Sequence, residues 1–102
     1  MVVLSDRAIE SLIDAPPNVR RAFEKQLRFL VDNLQHPSLR AKKYDESKNL
    51  WQARVNRDWR FYFTITADTY CIEDVIAHPK QEPLHSRWRA WHWKTDREET
   101  QL

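Results

Sequence analysis

The sequence has 102 residues, of which 41% are hydrophobic and 31% are charged, and its formal net charge at pH 7 is +2. This length favours one domain with a modest core. No apolar run approaches the about 20 residues of a membrane-spanning helix, and the first residues lack the pattern of a secretory signal. The single cysteine, Cys71, excludes an internal disulfide and a multi-cysteine metal site. We therefore expect a cytoplasmic protein with no membrane partner, no metal and no cofactor.

The charge is unevenly distributed along the chain. Residues 1–36 are neutral overall, residues 37–65 carry seven basic and three acidic side chains, and residues 66–102 have a net charge of −2. The middle third is either a face for a polyanion or a solvated basic loop. Its basic residues are Arg40, Lys42, Lys43, Lys48, Arg54, Arg57 and Arg60.

The first half of the chain predicts one short strand and two helices. The run at 2–4 is β-prone, and Ser5 is placed to cap a helix that ends at Pro16 and Pro17. A second helix is predicted from near Pro17. The apolar stripes of the two helices are formed by Ala8, Ile9, Leu12 and Ile13, and by Val19, Phe23, Leu27, Leu30, Val31 and Leu34.

The second half predicts three strands after a polar connection at 35–49. Apolar residues then alternate with polar ones through 51–55 and 59–65, and a third strand follows at 69–78. The order is β-α-α-β-β-β. It predicts an α+β fold with a small antiparallel sheet and two helices packed on one face.

The same alternation places Arg54 and Arg60 on the sheet face opposite the helices, side by side with Gln52 and Tyr62. Two like charges on adjacent strands repel each other. Either an anion normally lies between the two arginines, or simple ion pairs neutralise them. The acids considered for such pairs are Asp58, Glu73 and Asp74.

The absence of glycine limits both the turns and the functions of this chain. Turns must use other residues, and Asn56-Arg57-Asp58 and Ala67-Asp68 fit that need. The glycine-rich loops that bind nucleotides are excluded.

Three segments, together with the β-α-α-β-β-β order, resemble the RelE/ParE superfamily of bacterial toxin–antitoxin toxins. The resemblance covers residues 1–80. The segments are "HPSLRAKKY", "LWQARVNRDWRFYF" and "VIAHPK". The hairpin segment carries the resemblance at Trp51, Arg54, Trp59 and Arg60. The resemblance implies a toxin of a type II system that is neutralised by a cognate antitoxin.

RelE-like members cleave mRNA, commonly on the ribosome, and need no metal. The resemblance therefore implies that mRNA and the ribosome are partners. ParE-like members instead inhibit DNA gyrase. This alternative, or an attenuated toxin, stays open because Gln52 and Pro79 stand where many RelE-like toxins have basic residues.

The resemblance also assigns candidate catalytic residues. Arg54 and Arg60 suit stabilisation of charge on a phosphate. His78 suits proton transfer, although a histidine that caps the strand end is the alternative. Asp58 and Tyr62 complete the predicted catalytic set. The predicted RNA-binding residues are Arg40, Lys42, Lys43, Arg57, Lys80 and His85.

Residues 81–102 form a tryptophan-rich extension that we expect to be helical and part of the same domain. Pro83 suits a helix start, and Trp88 and Trp91 fall on one face. The tryptophans could pack on the domain, stack on unpaired RNA bases, or contact an antitoxin or a second copy.

Overall fold

The computed structural model describes residues 1–77. Within them the structure has two helices, five strands and two short 3-10 turns. The helices are α1 (Asp6–Asp14) and α2 (Pro17–Asp32), and the 3-10 turns span Pro37–Leu39 and Glu46–Lys48. The strands are β1 (Val2–Leu4), β2 (Lys42–Asp45), β3 (Leu50–Arg54), β4 (Trp59–Thr66) and β5 (Thr69–Ala77). The predictions for the extension and for His78, Lys80 and His85 lie outside the described residues.

The five strands form one sheet in the order β1-β5-β4-β3-β2. Strand β1 pairs with β5 in parallel, and the other neighbours are antiparallel. The predicted α+β class is confirmed, with two differences. Strand β2 lies inside the segment predicted as a polar connection, and the sheet is mixed rather than wholly antiparallel. A sheet-edge strand that begins with two lysines shows no apolar alternation, because charged side chains are common at edges.

The two helices and one face of the sheet enclose the main core. Phe23 of α2 meets Phe61 of β4 edge to face, with 5.3 Å between the ring centroids. The buried apolar residues of this core are Ala8, Ala15, Val19, Phe23, Leu30, Leu39, Ala53, Val55, Phe61, Phe63, Ile72 and Val75.

Helix α1 begins as predicted, but its apolar stripe is narrower than predicted. Ser5 Oγ accepts a hydrogen bond from Ala8 N at 3.0 Å and donates one to Glu73 O at 2.8 Å. Ala8 is buried, whereas Ile9 and Ile13 are 43% and 70% exposed. A helix of nine residues on this small sheet buries only the side nearest β5.

Among residues 1–77, three adopt positive φ, and none of them is glycine because the chain has none. They are Arg40 at 47°, Asn49 at 53° and Ala67 at 54°. Asparagine tolerates this region, whereas an alanine Cβ crowds the backbone there. Ala67 lies in the β4–β5 turn, next to the pair Thr66 and Thr69.

Replacing Ala67 by glycine should therefore stabilise the protein. The positive φ costs alanine about 1–2 kcal/mol, and the greater backbone entropy of glycine offsets about 0.5–1 kcal/mol of the gain. We expect the free energy of unfolding to rise by about 0.5–1 kcal/mol, and Tm by about 2–8 °C. Thermal unfolding followed by circular dichroism measures this. Ala67→Val is the control and should destabilise, and a glycine variant that melts below the wild type would contradict the argument.

A β-bulge at Glu73 interrupts the pairing of β4 with β5. Tyr62 pairs with Asp74 and Phe63 with Ile72, so Glu73 is the extra residue. Its Oε2 accepts a hydrogen bond from Thr64 Oγ1 at 3.0 Å. Burial raises the pKa of the Glu73 carboxyl, and the bond from Thr64 opposes this only in part.

This raised pKa predicts a pH-dependent loss of stability. When the pKa of a carboxyl is higher in the folded state than in the unfolded state, its protonation stabilises the folded state. This stabilisation is fully present at pH values below the unfolded-state pKa, and it is lost as the pH rises through the folded-state pKa. Glu73→Gln should thus be more stable than the wild type at pH 7, and the difference should shrink as the pH falls toward the ordinary value of 4.5. Urea unfolding at a series of pH values measures the difference. Glu10→Gln, at an exposed site in α1, controls for the loss of one negative charge. A Glu73→Gln difference that is constant with pH would refute the prediction.

Candidate functional site

Arg54 and Arg60 face each other directly across the β3–β4 hairpin, as predicted. Their Cα positions are register partners, and both side chains are partly buried. Burial lowers the pKa of Arg60, and the positive charges of Arg54 and Arg40 lower it further. The sheet thus holds two guanidinium groups in mutual repulsion.

The turn between the strands fixes the guanidinium of Arg60. Its Nη1 donates to the carbonyl oxygens of Asn56 at 2.8 Å and Trp59 at 2.9 Å, with a longer contact of 3.4 Å to Arg57 O. Asn56 shapes the same turn, since its Oδ1 accepts from Asp58 N and Trp59 N, each at 2.9 Å. These contacts orient Arg60 without neutralising its charge.

The ion pairs considered as an alternative do not form. Within residues 1–77, neither Arg54 nor Arg60 lies within 4.0 Å of a carboxylate oxygen. Glu73 accepts from Thr64, and Asp74 Oδ1 accepts from Ser11 Oγ at 2.7 Å. Asp58 is exposed in the hairpin turn, and its charge is the smallest of the influences on the pKa of Arg60.

A cavity of about 210 Å³ brings four cationic side chains together, and we call it the basic cavity. Lys42 reaches it from β2, where it pairs with Gln52 across the ladder. Its lining residues are Arg40, Lys42, Gln52, Ala53, Arg54 and Arg60. None of them is acidic, so the cavity can bind an anion of high charge density. Arginine offers phosphate two parallel N–H donors, and Lys42 adds a point charge.

Gln26 positions two sides of this cavity, and the sequence interpretation missed it. It is 4% exposed, and its Nε2 donates to Ser38 O at 3.0 Å and to Arg54 O at 2.7 Å. Its Oε1 accepts from Ser38 Oγ at 3.0 Å. Helix α2 is thereby tied both to the end of β3 and to the turn that precedes Arg40. A signal was present, since Gln26 is a polar residue on the apolar stripe, three positions after Phe23.

Lys43 does not contribute to the basic cavity, because alternation places it on the other face of β2. Its Nζ donates to Asn49 Oδ1 at 2.8 Å, lies 3.6 Å from Glu46, and is 5.3 Å from the ring centroid of Trp51. Arg57 is exposed in the hairpin turn and does not line the basic cavity either.

Tyr62 is fully buried, which is at odds with the predicted catalytic role. Its hydroxyl accepts a hydrogen bond from Gln52 Nε2 at 2.9 Å. Burial raises the pKa of the Tyr62 hydroxyl, which is protonated at neutral pH even at its ordinary value. Together with Leu50, it forms a small second core on this face, against which Tyr44 and Ile76 pack. The structure gives Tyr62 a packing role beneath the site.

Residues 1–77 contain no group of three or more His, Cys, Asp or Glu side chains placed to hold a metal ion. None of the helices in this part of the chain is both long and apolar enough to cross a membrane.

Comparison with known proteins identifies the fold. No protein-family model matches the sequence, and no curated protein matches it. Among solved structures, the chain is similar to the RelB–RelE antitoxin–toxin complex from Methanococcus jannaschii, with 16% identity, a TM-score of 0.63, and coverage of 74% of this chain and 88% of that one. It is also similar to YafQ from E. coli strain BL21(DE3), with 17% identity, a TM-score of 0.64 and coverage of 76% and 91%. The YoeB–YefM complex from Staphylococcus aureus matches with 15% identity, a TM-score of 0.64 and coverage of 78% and 97%.

These similarities define the class of structure to which the chain belongs. The protein has the fold of the RelE/ParE toxins. At these identities the likeness establishes the fold alone.

Proposed function

We propose that this protein is the toxin of a type II toxin–antitoxin system and cleaves mRNA on the ribosome. One observation carries the proposal. Arg54 and Arg60 face each other in a cavity lined by four cations, and among residues 1–77 neither has a carboxylate partner. Such an arrangement is favourable when a phosphate lies between the guanidinium groups. The toxin fold and the sequence resemblance to RelE-like toxins support the choice of RNA as the source of that phosphate.

The proposed reaction needs no metal. The ribose 2′-OH loses its proton, its oxygen bonds to the adjacent phosphorus, and the bond from phosphorus to the 5′-oxygen breaks as that oxygen gains a proton. The products are a 2′,3′-cyclic phosphate and a 5′-OH. Arg54 and Arg60 donate to the non-bridging oxygens, whose negative charge increases in the pentacoordinate transition state. Arg40 and Lys42 add positive charge at the same cavity.

Proton transfer is assigned to His78, which follows the last residue of β5 in the sequence. An imidazole with a pKa near its usual value of about 6.5 can donate or accept a proton at neutral pH. Asp58 is the second candidate, because it is exposed in the hairpin turn, two residues before Arg60 in the sequence.

A cognate antitoxin is the proposed regulatory partner. The similar structures include antitoxin–toxin complexes, among them RelB–RelE from Methanococcus jannaschii and YoeB–YefM from Staphylococcus aureus. We expect acidic groups of the antitoxin to occupy the basic cavity, because an anion there relieves the repulsion between the arginines. The proposed location of the pair is the cytoplasm.

The test is to add the purified protein to translating ribosomes and to map the mRNA ends. We expect new ends inside the coding sequence, formed equally well in the presence of a chelator. Supercoiling by purified DNA gyrase should be unaffected, which separates this activity from gyrase inhibition. Intact mRNA together with inhibited gyrase would contradict the proposal.

A further inference from the structure

A second and larger cavity borders the basic cavity and shares Arg40 and Arg54 with it. Its volume is about 510 Å³, and we call it the flanking cavity. It lies between α2, the Pro37–Leu39 turn and the hairpin turn that follows β3. The lining residues are Ala22, Lys25, Gln26, Pro37, Ser38, Arg40, Arg54, Val55, Asn56 and Arg57.

The chemistry of the flanking cavity differs from that of the basic cavity. Lys25 and Arg57 add two cations, while Ala22, Pro37 and Val55 supply apolar walls. No lining residue is acidic. Small-molecule sites typically measure about 300–1,000 Å³, so the flanking cavity has room for a base and sugar, whereas the basic cavity is smaller than that range. Size and composition thus fit one group that is partly apolar and partly anionic.

Asn56 lines this cavity, and its side-chain amide has a fixed orientation. Two backbone N–H groups bond to its Oδ1, which fixes the amide orientation and leaves Nδ2 outside those bonds. Arg60 Nη1 donates to the backbone oxygen of the same residue at 2.8 Å. The hairpin turn therefore couples the guanidinium of the basic cavity to the wall of the flanking cavity.

We propose that the flanking cavity binds the nucleotide next to the cleaved phosphate. The base and sugar lie against the apolar walls, Asn56 Nδ2 donates to an acceptor on the nucleotide, and Lys25 and Arg57 bind the next phosphate. This inference rests on the proposed RNA cleavage. It adds that the substrate is single-stranded, because a base enters such a cavity only when it leaves its stack.

Binding of short uncleavable oligonucleotides tests this assignment. The probes are 2′-O-methyl RNAs of one, two and three nucleotides, each with a 5′-phosphate, which lack the attacking hydroxyl. The test variant is Lys25→Gln/Arg57→Gln. The matched control is Arg21→Gln/Arg28→Gln, which removes two exposed cations of α2 that line neither cavity.

For the wild type we expect the affinity to rise at least about tenfold between the mononucleotide and the longer probes, because the longer probes add the phosphate that Lys25 and Arg57 bind. The test variant should lack that rise and still bind the mononucleotide as the control does. Its slope of log affinity against log salt should fall by about 0.7 for each phosphate that the protein no longer binds. A test variant whose affinity still rises from the mononucleotide to the longer probes would overturn the assignment. It would also be overturned if a hexaglutamate peptide bound the wild type more tightly than the trinucleotide does and bound the test variant only weakly.

Failure of this assignment can be told from failure of the proposed function. If the rise persists in the test variant while mRNA cleavage still depends on Arg54, only the flanking cavity is reassigned. If the wild-type protein leaves mRNA intact on the ribosome, the proposed function itself is wrong.

Discussion

Replacing Arg54 by glutamine is expected to reduce mRNA cleavage by about a hundredfold, the scale of losing one oriented donor to a developing oxyanion. The same change should leave the folded protein slightly more stable. Arg54 lies opposite Arg60 in the ladder, and its charge lowers the pKa of Arg60. Removal of a directly opposed like charge is worth about 0.2–1 kcal/mol. A substitution that lowers the cleavage rate and raises the free energy of unfolding indicates that the replaced residue serves substrate binding and not folding.

Single-turnover cleavage and urea unfolding of the same preparation measure the two effects. Arg21→Gln is the matched control, because Arg21 is an exposed arginine of α2 that lines neither cavity. An Arg54→Gln protein that cleaves at the wild-type rate would remove Arg54 from the site. A protein that loses both activity and stability would show that Arg54 serves the fold.

Replacing Gln26 by leucine should lower the free energy of unfolding more than any other substitution proposed for this protein. The substitution leaves the carbonyl oxygens of Ser38 and Arg54 without the donor that now reaches them. The three hydrogen bonds of the Gln26 amide are partly buried, and each is worth about 0.5–1.5 kcal/mol, so we expect the free energy of unfolding to fall by about 2–4 kcal/mol. Cleavage by the remaining folded protein should also fall, because the turn before Arg40 and the end of β3 are no longer tied to α2.

Urea unfolding and the cleavage rate per folded molecule test this prediction. Gln35→Leu is the matched control, since Gln35 is an exposed glutamine. If Gln26→Leu were as stable as the wild type, the position would be an ordinary part of the apolar stripe, and its positioning role would be wrong.

The arginine pair could be predicted from the sequence because strand alternation is a strict geometric rule. Trp51, Ala53 and Val55 identify the covered face of β3, so Arg54 must point the other way. The cap at Ser5 was predictable for a similar reason, since a hydroxyl before a helix reaches the free N–H groups of its first turn.

Strand β2 and the contacts of Gln26 could not be predicted in the same way, because they depend on the tertiary structure. Lys42 and Lys43 look like loop residues until β3 is present to pair with them. Gln26 is a polar residue within an apolar stripe, and only the folded chain shows which carbonyl groups it reaches.

The burial of Tyr62 shows a further limit of alternation. The rule places Tyr62 on the face opposite the helices, and the prediction treated that face as open. In the structure a small cluster of Leu50 and Tyr62, joined by Tyr44 and Ile76, covers that part of the face. Tyr44 reaches the cluster from β2, the strand that the sequence did not reveal, and its ring centroid lies 5.1 Å from that of Tyr62.

Cleavage of an mRNA with a single 2′-deoxynucleotide tests the central proposal most directly. The deoxynucleotide is placed on the 5′ side of a mapped cleavage position, and the message is programmed on the ribosome beside an all-ribose control. We expect the control to be cut to a 2′,3′-cyclic phosphate and a 5′-OH, and the deoxy message to remain intact at that position. Equal cleavage of both messages would show that the 2′-oxygen is not the nucleophile and would contradict the proposed mechanism.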